Sequence, residues 1–244
     1  MFFSLNKKKG KENFRENKYS SNLNHIALAM NGVYEYSKQH KIELKLAWKI
    51  AFDKIKETII FQIENDILIS SFNLIPMELT EEDYFLEVAE YIASMLDELR
   101  AWNLLARKKI KISVIGKWYD LPMILVDSIK KINRETRDYD AFFVNLCANY
   151  DGQTEIVDAF RVVAMKIKNG SLDPDSITDK DIKENLYSSY SIPPEIIFVD
   201  GEVQSTDGFL LWDSKYSKIY FTDKLWPEMK IEQLSKIIQK IYSG

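Results

Sequence analysis

The stretch NHIALAMNGVYEYSKQHK, residues 24–41, has the pattern of a buried strand, a tight turn at Gly32 and the start of a helix. A strand that enters a helix through a Gly turn is the usual place for a phosphate site, because backbone N–H groups at a helix N-terminus attract anions. This turn has no Asp, no Arg and a single Gly. The stretch therefore predicts an α/β fold with a phosphate-type loop that lacks the side chains to complete it.

Short apolar runs with β propensity alternate with helical patterns through the rest of the chain. Strands that are apolar throughout and separated by helices favour a mainly parallel sheet covered on both faces. The predicted strands are residues 25–30, 67–72, 111–116, 142–150, 195–201 and 218–223.

Apolar residues at helical spacing predict several further helices. They are residues 81–106, 121–133, 152–170, 178–187 and 230–242. Thr80 and Asp83 match a capping box for the first of these, which is predicted as one long helix. Gly170 is expected to end the third, and Thr178 or Asp179 to cap the fourth.

The composition is that of one globular domain, with 46% hydrophobic and 29% charged residues among 244. We predict this domain at residues 23–244, after a flexible basic N-terminal tail at residues 1–22. The formal net charge of −4 gives little electrostatic support for a nucleic-acid partner. An alternative role for the Lys7–Lys9 cluster of the tail is peripheral contact with an anionic membrane.

The cysteine content predicts the compartment. Cys147 is the single cysteine and lies in an apolar run, which favours a buried thiol over a nucleophile. No intramolecular disulfide is possible, so a reducing cytoplasm is the predicted location.

Two long segments carry a resemblance to a known family. NYDGQTEIVDAF at residues 149–160 and FLLWDSKYSKIYFTDKLWPE at residues 209–228 resemble signature segments of the cis-prenyltransferases, the undecaprenyl diphosphate synthase family. With HIALAMNG before them and SITDKDIKENLY between them, the resemblance runs in order from about residue 23 to residue 242. It implies a six-stranded, mainly parallel sheet with flanking helices around a hydrophobic tunnel for a growing isoprenoid chain.

The resemblance also implies a dimer and a chemistry. The helix that starts at Gly152 would lie near the dimer contact and the sheet core, together with Trp212, Tyr216, Phe221 and Trp226. Active members extend an allylic diphosphate with isopentenyl diphosphate and use Mg²⁺. Burying two diphosphates beside an apolar tunnel requires Arg, His, backbone N–H groups and a metal ion.

At the first turn, the resemblance implies that the diphosphate-binding residues are replaced. Asn31 stands where active members have the Asp that handles the metal, and Gly32 and Val33 follow it. Tyr34 stands where a Gly lets the backbone approach phosphate, and Glu35 where an Arg holds the allylic diphosphate. Glu35 thus reverses a charge beside a polyanion.

Further replacements follow along the chain. Leu44, Ala47 and Trp48 stand where relatives have an Arg and a Gly-His pair. After the second strand Phe72 is kept, whereas Pro76 occupies a family catalytic position.

The resemblance implies that the isopentenyl diphosphate site has also lost its charged residues. Val199 and Ser205 replace its two arginines, and Val203 replaces the metal-binding Glu. Shifting the alignment with the family motif by one residue would place Glu202 at the metal-binding position instead, as a weak candidate for a metal ligand. Losing about five basic groups removes on the order of 10 kcal/mol of diphosphate binding. We therefore predict no intact catalytic residue and no cofactor.

The remaining polar residues have structural interpretations. Asp200, Glu202 and Asp207 are predicted to form turns or to be solvated, rather than to bind a metal. His25 is predicted to fix a loop, and His40 has no predicted partner.

Three functions are compatible with this pattern. The leading hypothesis is a non-catalytic homologue that forms the partner subunit of an active cis-prenyltransferase in polyprenyl diphosphate synthesis, or else a self-dimer. The alternatives are a repurposed prenyltransferase or terpene-forming enzyme that uses Mg²⁺, and a binding protein for a neutral isoprenoid or other lipid. Many relatives end in Arg-x-Gly and reach the partner's substrate with it. This chain has Gly244 without the Arg, which counts against a direct contribution to the partner's active site and leaves a purely scaffolding role open.

Overall fold

The computed structural model describes residues 23–242, with side chains through residue 240. The tail predicted at residues 1–22 and the terminal Gly244 lie outside the described residues. The strands are β1 His25–Leu28, β2 Ile69–Pro76, β3 Ile110–Ile115, β4 Phe142–Tyr150, β5 Ile196–Val199 and β6 Lys218–Phe221. The helices are α1 Val33–His40, α2 Leu44–Glu64, α3 Phe85–Arg100, α4 Asn103–Lys108, α5 Met123–Thr136, α6 Gly152–Lys168, α7 Asp179–Lys183 and α8 Ile231–Tyr242.

The described strands form one sheet in the order β3-β4-β2-β1-β5-β6. Each neighbouring pair is parallel, so the carboxyl ends of the strands all meet at one edge. In the centre, Ala27 of β1 is in register with Ser71 of β2 and Ile197 of β5. The predicted helix-flanked six-stranded sheet is confirmed, and it is parallel throughout.

The sheet separates two apolar layers, because successive side chains of a strand point to opposite faces. Ile26 and Leu28 join the layer that contains residues of α2, α3 and α5, whereas Ala27 joins the opposite layer. Helix α6 lies on this second face, where the Tyr150 hydroxyl donates a 2.6 Å hydrogen bond to Glu155. Within residues 23–242, no helix combines the length and apolarity needed to span a membrane.

The structure differs from the predicted helices in two places. The helix predicted at residues 81–106 is divided into α3 and α4, because the backbone of Trp102 is extended, with ψ at 108°. The longest helix, α2, has 21 residues and was not among the predicted helices. Its apolar residues are spread around the helix, which weakens a one-sided pattern.

The predicted helix ends are confirmed at two positions and wrong at a third. Gly170 follows α6 with φ at +70°, and Thr178 caps α7 through a capping box with Asp181. The capping box proposed for Thr80 is wrong, because α3 begins at Phe85 and the Thr80 hydroxyl instead donates to a carbonyl within a 3-10 turn.

Candidate functional site

The candidate site lies at the carboxyl edge of the sheet, between the ends of β1 and β5. Ligands of open parallel sheets bind in this kind of crevice. After β1 the chain turns sharply, with φ at +60° for Met30 and +80° for Gly32, and α1 begins at the next residue. The side-chain amide of Asn31 donates a 2.9 Å hydrogen bond to the backbone carbonyl of Asp200, which follows β5. The two strand ends are thus tied directly to each other.

A second segment closes over the same turn. The backbone N–H of Trp226 donates to the carbonyl of Asn31 at 3.0 Å, and the N–H of Gly201 donates to the carbonyl of Lys224 at 2.8 Å. Leu225 is buried and packs against Gly32. Groups of the chain itself therefore take up hydrogen bonds and space at the turn.

Gly32 has no room for a side chain. A Cβ atom there would lie 2.4 Å from the Cδ2 atom of Leu225, and the φ of +80° is strained for any other residue. We expect Gly32→Ala to lower the free energy of unfolding by about 2 kcal/mol, measured by urea titration.

Gly170→Ala is the matched control for this prediction. Gly170 has a similar φ of +70°, but an added Cβ atom would meet nothing within 4 Å. It therefore isolates the backbone strain from the clash with Leu225. Equal losses in the two variants would contradict close packing at Gly32.

Asp200 is buried, so of its two predicted roles, forming a turn or being solvated, the second is wrong. The side chain is 3% exposed, and its Oδ2 atom has no hydrogen-bond partner among residues 23–242. Burial raises the pKa of Asp200 to about 7, against the opposing effect of nearby backbone N–H groups, including that of Asn31. The feature of the sequence that could have indicated this burial is the position of Asp200 directly after an apolar strand. Glu202 and Asp207 are exposed, as predicted.

An aromatic pair flanks the first turn of α1. The rings of Tyr34 and Tyr84 are stacked, with centroids 4.5 Å apart, and the ammonium group of Lys38 lies 4.9 Å from the Tyr34 centroid. Burial raises the pKa of the Tyr84 hydroxyl to about 12, helped by the charges of Glu82 and Glu35. Glu35 is exposed in the first turn of α1, where its negative charge interacts favourably with the helix dipole. The same charge would repel an anionic ligand.

Several predicted pocket residues belong instead to the apolar core. Trp48 and Phe72 are almost completely buried, and the Phe72 ring packs edge-on against Trp226 at 6.1 Å. The Trp226 indole N–H donates to the carbonyl of Ala51, which anchors α2 to the site. Leu44 packs against the same core.

The other predicted positions do not assemble a pocket. Val199 is fully buried in the opposite apolar layer, Val33 is buried in the α2 layer, and Pro76 is half-buried at the end of β2. Val203 is 67% exposed. The backbone N–H of Ser205 donates to the carbonyl of Val203, and its hydroxyl accepts from the N–H of Asp207, both within the same loop.

The residues present do not fit a magnesium site. Among residues 23–242, no group of three or more His, Cys, Asp or Glu side chains is placed to hold a metal ion. Asn31 uses its amide as a donor to Asp200, whereas magnesium requires oxygen ligands, and Glu202 extends into solvent.

Two cavities are found among residues 23–240. One, of about 350 Å³, lies at edge strand β3 and is lined in part by Trp118, Tyr187 and Tyr190. The other, of about 10 Å³, lies beside Trp226. Neither is the apolar tunnel implied by the resemblance, which stays a prediction.

A buried polar network lies between the sheet and the elements that cover it on the side of α6. The ring of His25 bonds the carbonyl of Ile192 at 2.6 Å and the hydroxyl of Ser71 at 2.8 Å, which agrees with its predicted role in fixing a loop. Burial lowers the pKa of His25 to about 4, so the ring is neutral at neutral pH. Cys147 is buried on this face, as predicted, and burial raises the pKa of its thiol.

His40 lies on the opposite side, at the end of α1. Its ring bonds the carbonyl of Tyr36 at 3.1 Å and lies 4.0 Å from a carboxylate oxygen of Glu228. These partners were not predicted from the sequence.

The four aromatic residues predicted to lie near the dimer contact and the sheet core differ in exposure. Trp226 is buried, Trp212 and Phe221 are half-buried, and Tyr216 is 82% exposed. Only Tyr216 of this group is thus clearly available to a partner. Formation of a dimer by this chain stays a prediction.

Comparison with known proteins agrees with this geometry. A family model described as "Putative undecaprenyl diphosphate synthase" matches residues 29–243. Tritrans,polycis-undecaprenyl-diphosphate synthase (geranylgeranyl-diphosphate specific) of Methanopyrus kandleri is 26% identical over 220 residues, which cover 88% of this chain and 80% of that protein. The dehydrodolichyl diphosphate synthase complex subunit of Mus musculus is 30% identical over 220 residues. That match covers 88% of this chain but only 65% of the mouse protein.

A solved structure shares the fold. Lavandulyl diphosphate synthase from Lavandula x intermedia, in complex with dimethylallyl diphosphate, superposes with a TM-score of 0.83 at 21% identity. The superposition covers 91% of this chain and 95% of that chain.

Proposed function

The chain belongs to the undecaprenyl diphosphate synthase family of cis-prenyltransferases, and we propose that it is a non-catalytic member that serves as the partner subunit of an active one. The observation that carries this proposal is the closed turn after β1. Asn31 bonds Asp200, Trp226 bonds Asn31, and Leu225 fills the space over Gly32. A diphosphate bound there would have to break these contacts, and Glu35 would repel it.

The charges around the turn support the same conclusion. Diphosphate binding relies on charge-assisted hydrogen bonds, each typically worth about 1.5 to 3 kcal/mol. At the positions where the family resemblance expects arginines, this chain has Glu35, Leu44, Val199 and Ser205. Two of these, Leu44 and Val199, pack in apolar layers instead of facing a ligand.

A partner role is supported by a relative and by a surface. The mouse relative is named as a subunit of a complex. Helix α6 exposes apolar side chains, with Phe160 at 58% and Met165 at 62% exposure. Large exposed apolar groups on one helix are typical of a protein interface.

Enzyme assays with isopentenyl diphosphate and farnesyl or geranylgeranyl diphosphate test this function. With Mg²⁺ present, we expect no elongated product from the chain alone. Adding the catalytic family member encoded by the same genome is expected to give at least about tenfold more product than either chain alone, equivalent to 1.4 kcal/mol. Elongated product from the purified chain alone would contradict the proposal.

Surface variants test whether the effect depends on pairing. Phe160→Glu with Met165→Glu is expected to weaken the complex about a hundredfold, since buried aromatic and apolar anchors dominate interface energy. Leu86→Glu with Met123→Glu is the matched control, because both residues are 69% exposed but lie on α3 and α5. If the catalytic member still gives more product when it is mixed with the Phe160→Glu, Met165→Glu variant, α6 is not the contact.

The burial of Asp200 favours one second candidate, a repurposed prenyltransferase. A carboxyl group with a pKa of about 7 is suited to general acid–base catalysis near neutral pH. In that case the chain alone, with Mg²⁺, would convert an allylic diphosphate, and Asp200→Asn would abolish turnover. No turnover with any allylic diphosphate in the assays above removes this candidate.

A further inference from the structure

The larger cavity lies away from the candidate site, along the outer edge of β3. Two strands, β4 and β2, separate β3 from β1 in the sheet. The cavity has a volume of about 350 Å³ and follows the strand from Lys111 to Gly116. Its other lining residues are Asn133, Trp118, Tyr187 and Tyr190. Small-molecule sites have volumes of about 300 to 1,000 Å³. We call this space the β3 cavity.

The free edge of β3 is protected against the addition of a further strand. The backbone N–H of Ile112 donates to the hydroxyl of Thr136 at 3.1 Å. The backbone N–H of Val114 donates to the Oδ1 atom of Asn133 at 3.1 Å. Strand addition at a sheet edge requires such backbone groups to be unoccupied. Because side chains of α5 already occupy them, the β3 cavity favours a small molecule over an extended peptide.

Three aromatic side chains form walls of the β3 cavity. Trp118 and Tyr187 are half-buried, and Tyr190 is 57% exposed. The Tyr187 hydroxyl donates to Asp158, and the Tyr190 hydroxyl donates to the Oδ1 atom of Asn145 at 3.4 Å. Rings that are held by hydrogen bonds and remain partly exposed are suited to contact with a planar ring of a ligand.

The charged residue that lines the β3 cavity is Lys111. Its side chain is half-buried, and its ammonium group forms no ion pair or hydrogen bond with residues 23–240. The nearby carboxylate of Asp158 is already paired with Lys117 at 3.1 Å and Arg161 at 2.6 Å. A half-buried cation without a counter-charge favours an anionic ligand, because a charge-assisted contact replaces part of its lost hydration.

We propose that the β3 cavity binds a small aromatic carboxylate, with the carboxylate paired to Lys111 and the ring against the aromatic walls. One lysine balances one negative charge, whereas a diphosphate carries several charges and needs several donors. The ligand therefore differs in class from an isoprenoid diphosphate. The inference does not depend on the proposed function, since binding is expected in the chain alone, without a catalytic partner.

Isothermal titration calorimetry of the full chain with 2-naphthoate tests this inference. Two comparison compounds separate the charge from the ring. The amide 2-naphthamide has the same ring system without the charge, and cyclohexanecarboxylate has the charge without an aromatic ring. We expect 2-naphthoate to bind with a Kd below about 1 mM, and at least about tenfold more tightly than either comparison compound. A Kd above this value, or equal binding of 2-naphthamide, would overturn the inference.

Variants of the lining residues test whether the binding takes place in the β3 cavity. Lys111→Met is expected to weaken the binding of 2-naphthoate to the level of 2-naphthamide, whereas Lys111→Arg should retain most of the preference because it keeps the charge. Tyr190→Ala is expected to weaken the binding of 2-naphthoate about fivefold, as is typical for the loss of an aromatic contact. Circular dichroism first checks that each variant is folded, and Lys111→Gln replaces Lys111→Met if the latter is not.

Lys130→Met and Tyr216→Ala are the matched controls. Both residues are exposed and lie outside the lining of the β3 cavity. We expect them to leave the affinity for 2-naphthoate unchanged. Wild-type affinity in both Lys111→Met and Tyr190→Ala, or an equal loss in the controls, would place the binding elsewhere and overturn the inference.

Discussion

Replacing Lys183 with Met is expected to lower the free energy of unfolding by about 3 kcal/mol, because it leaves a buried carboxylate without its counter-charge. Asp213 is 5% exposed, and its Oδ2 atom accepts from the Lys183 ammonium group at 2.6 Å and from the Ser188 hydroxyl at 2.9 Å. Its Oδ1 atom has no hydrogen-bond partner within residues 23–242. Without Lys183 the desolvation of Asp213 is no longer compensated by charge.

A double variant separates the buried charge from simple loss of packing. Lys183→Met with Asp213→Leu removes both charges and keeps apolar volume, so at least half of the lost stability should return. Urea titration of the wild type, both single variants and the double variant gives the coupling between the two residues.

Lys180→Met is the surface control for the ion pair. Lys180 forms an ion pair with Glu184, the residue after α7, at 3.7 Å, and both side chains are more than half exposed. We expect almost no loss, because exposed ion pairs contribute little. A loss equal to that of Lys183→Met, or no recovery in the double variant, would show that the buried charge is not the cause.

Replacing Asp200 with Asn is expected to stabilise the protein increasingly as the pH rises. The folded-state pKa of Asp200, about 7, lies above the ordinary value of 3.8. The wild type therefore has the full contribution of the protonated carboxyl below about pH 4, and loses it as the pH rises through 7. An amide cannot ionise, so the variant does not lose stability by this route.

The measurable quantity is the difference in unfolding free energy between variant and wild type at several pH values. Between pH 5 and 8.5 this difference is expected to grow in favour of Asp200→Asn by about 2 to 3 kcal/mol. Glu202→Gln, two residues away and exposed, is the control and should show no such growth. Parallel pH profiles for Asp200→Asn and the wild type would mean that this carboxyl ionises in the folded protein as it does in water.

The fold could be predicted largely from local patterns. Apolar runs predicted the six strands to within four residues at each end. The four inner strands, β4, β2, β1 and β5, are buried on both faces and therefore have little choice of residue type. Helix boundaries were less predictable at Trp102, where one extended residue divides a continuous apolar pattern into α3 and α4. The 21-residue α2 was not predicted, because its buried residues include Thr58 and Gln62 beside apolar ones.

The candidate site was only partly predictable. The sequence predicted the positions at which a diphosphate pocket would be replaced, beginning with Asn31, Tyr34 and Glu35. The contacts that close the turn could not, since Leu225 and Trp226 lie almost two hundred residues further along the chain. Asp200 was predicted to form a turn or to be solvated, and only the assembled structure shows that it is buried.

The sequence by itself determined the parallel α/β architecture and the family, and it is the source of the prediction that the groups that bind diphosphate are replaced. These properties depend on residue type and local order, which a chain displays directly. The tertiary structure alone decided that the turn is closed by Asn31, Asp200 and Trp226, and that the side chain of Asp200 is buried. Those properties depend on which distant residues meet and which side chains remain exposed, and both are fixed only when the sheet has assembled.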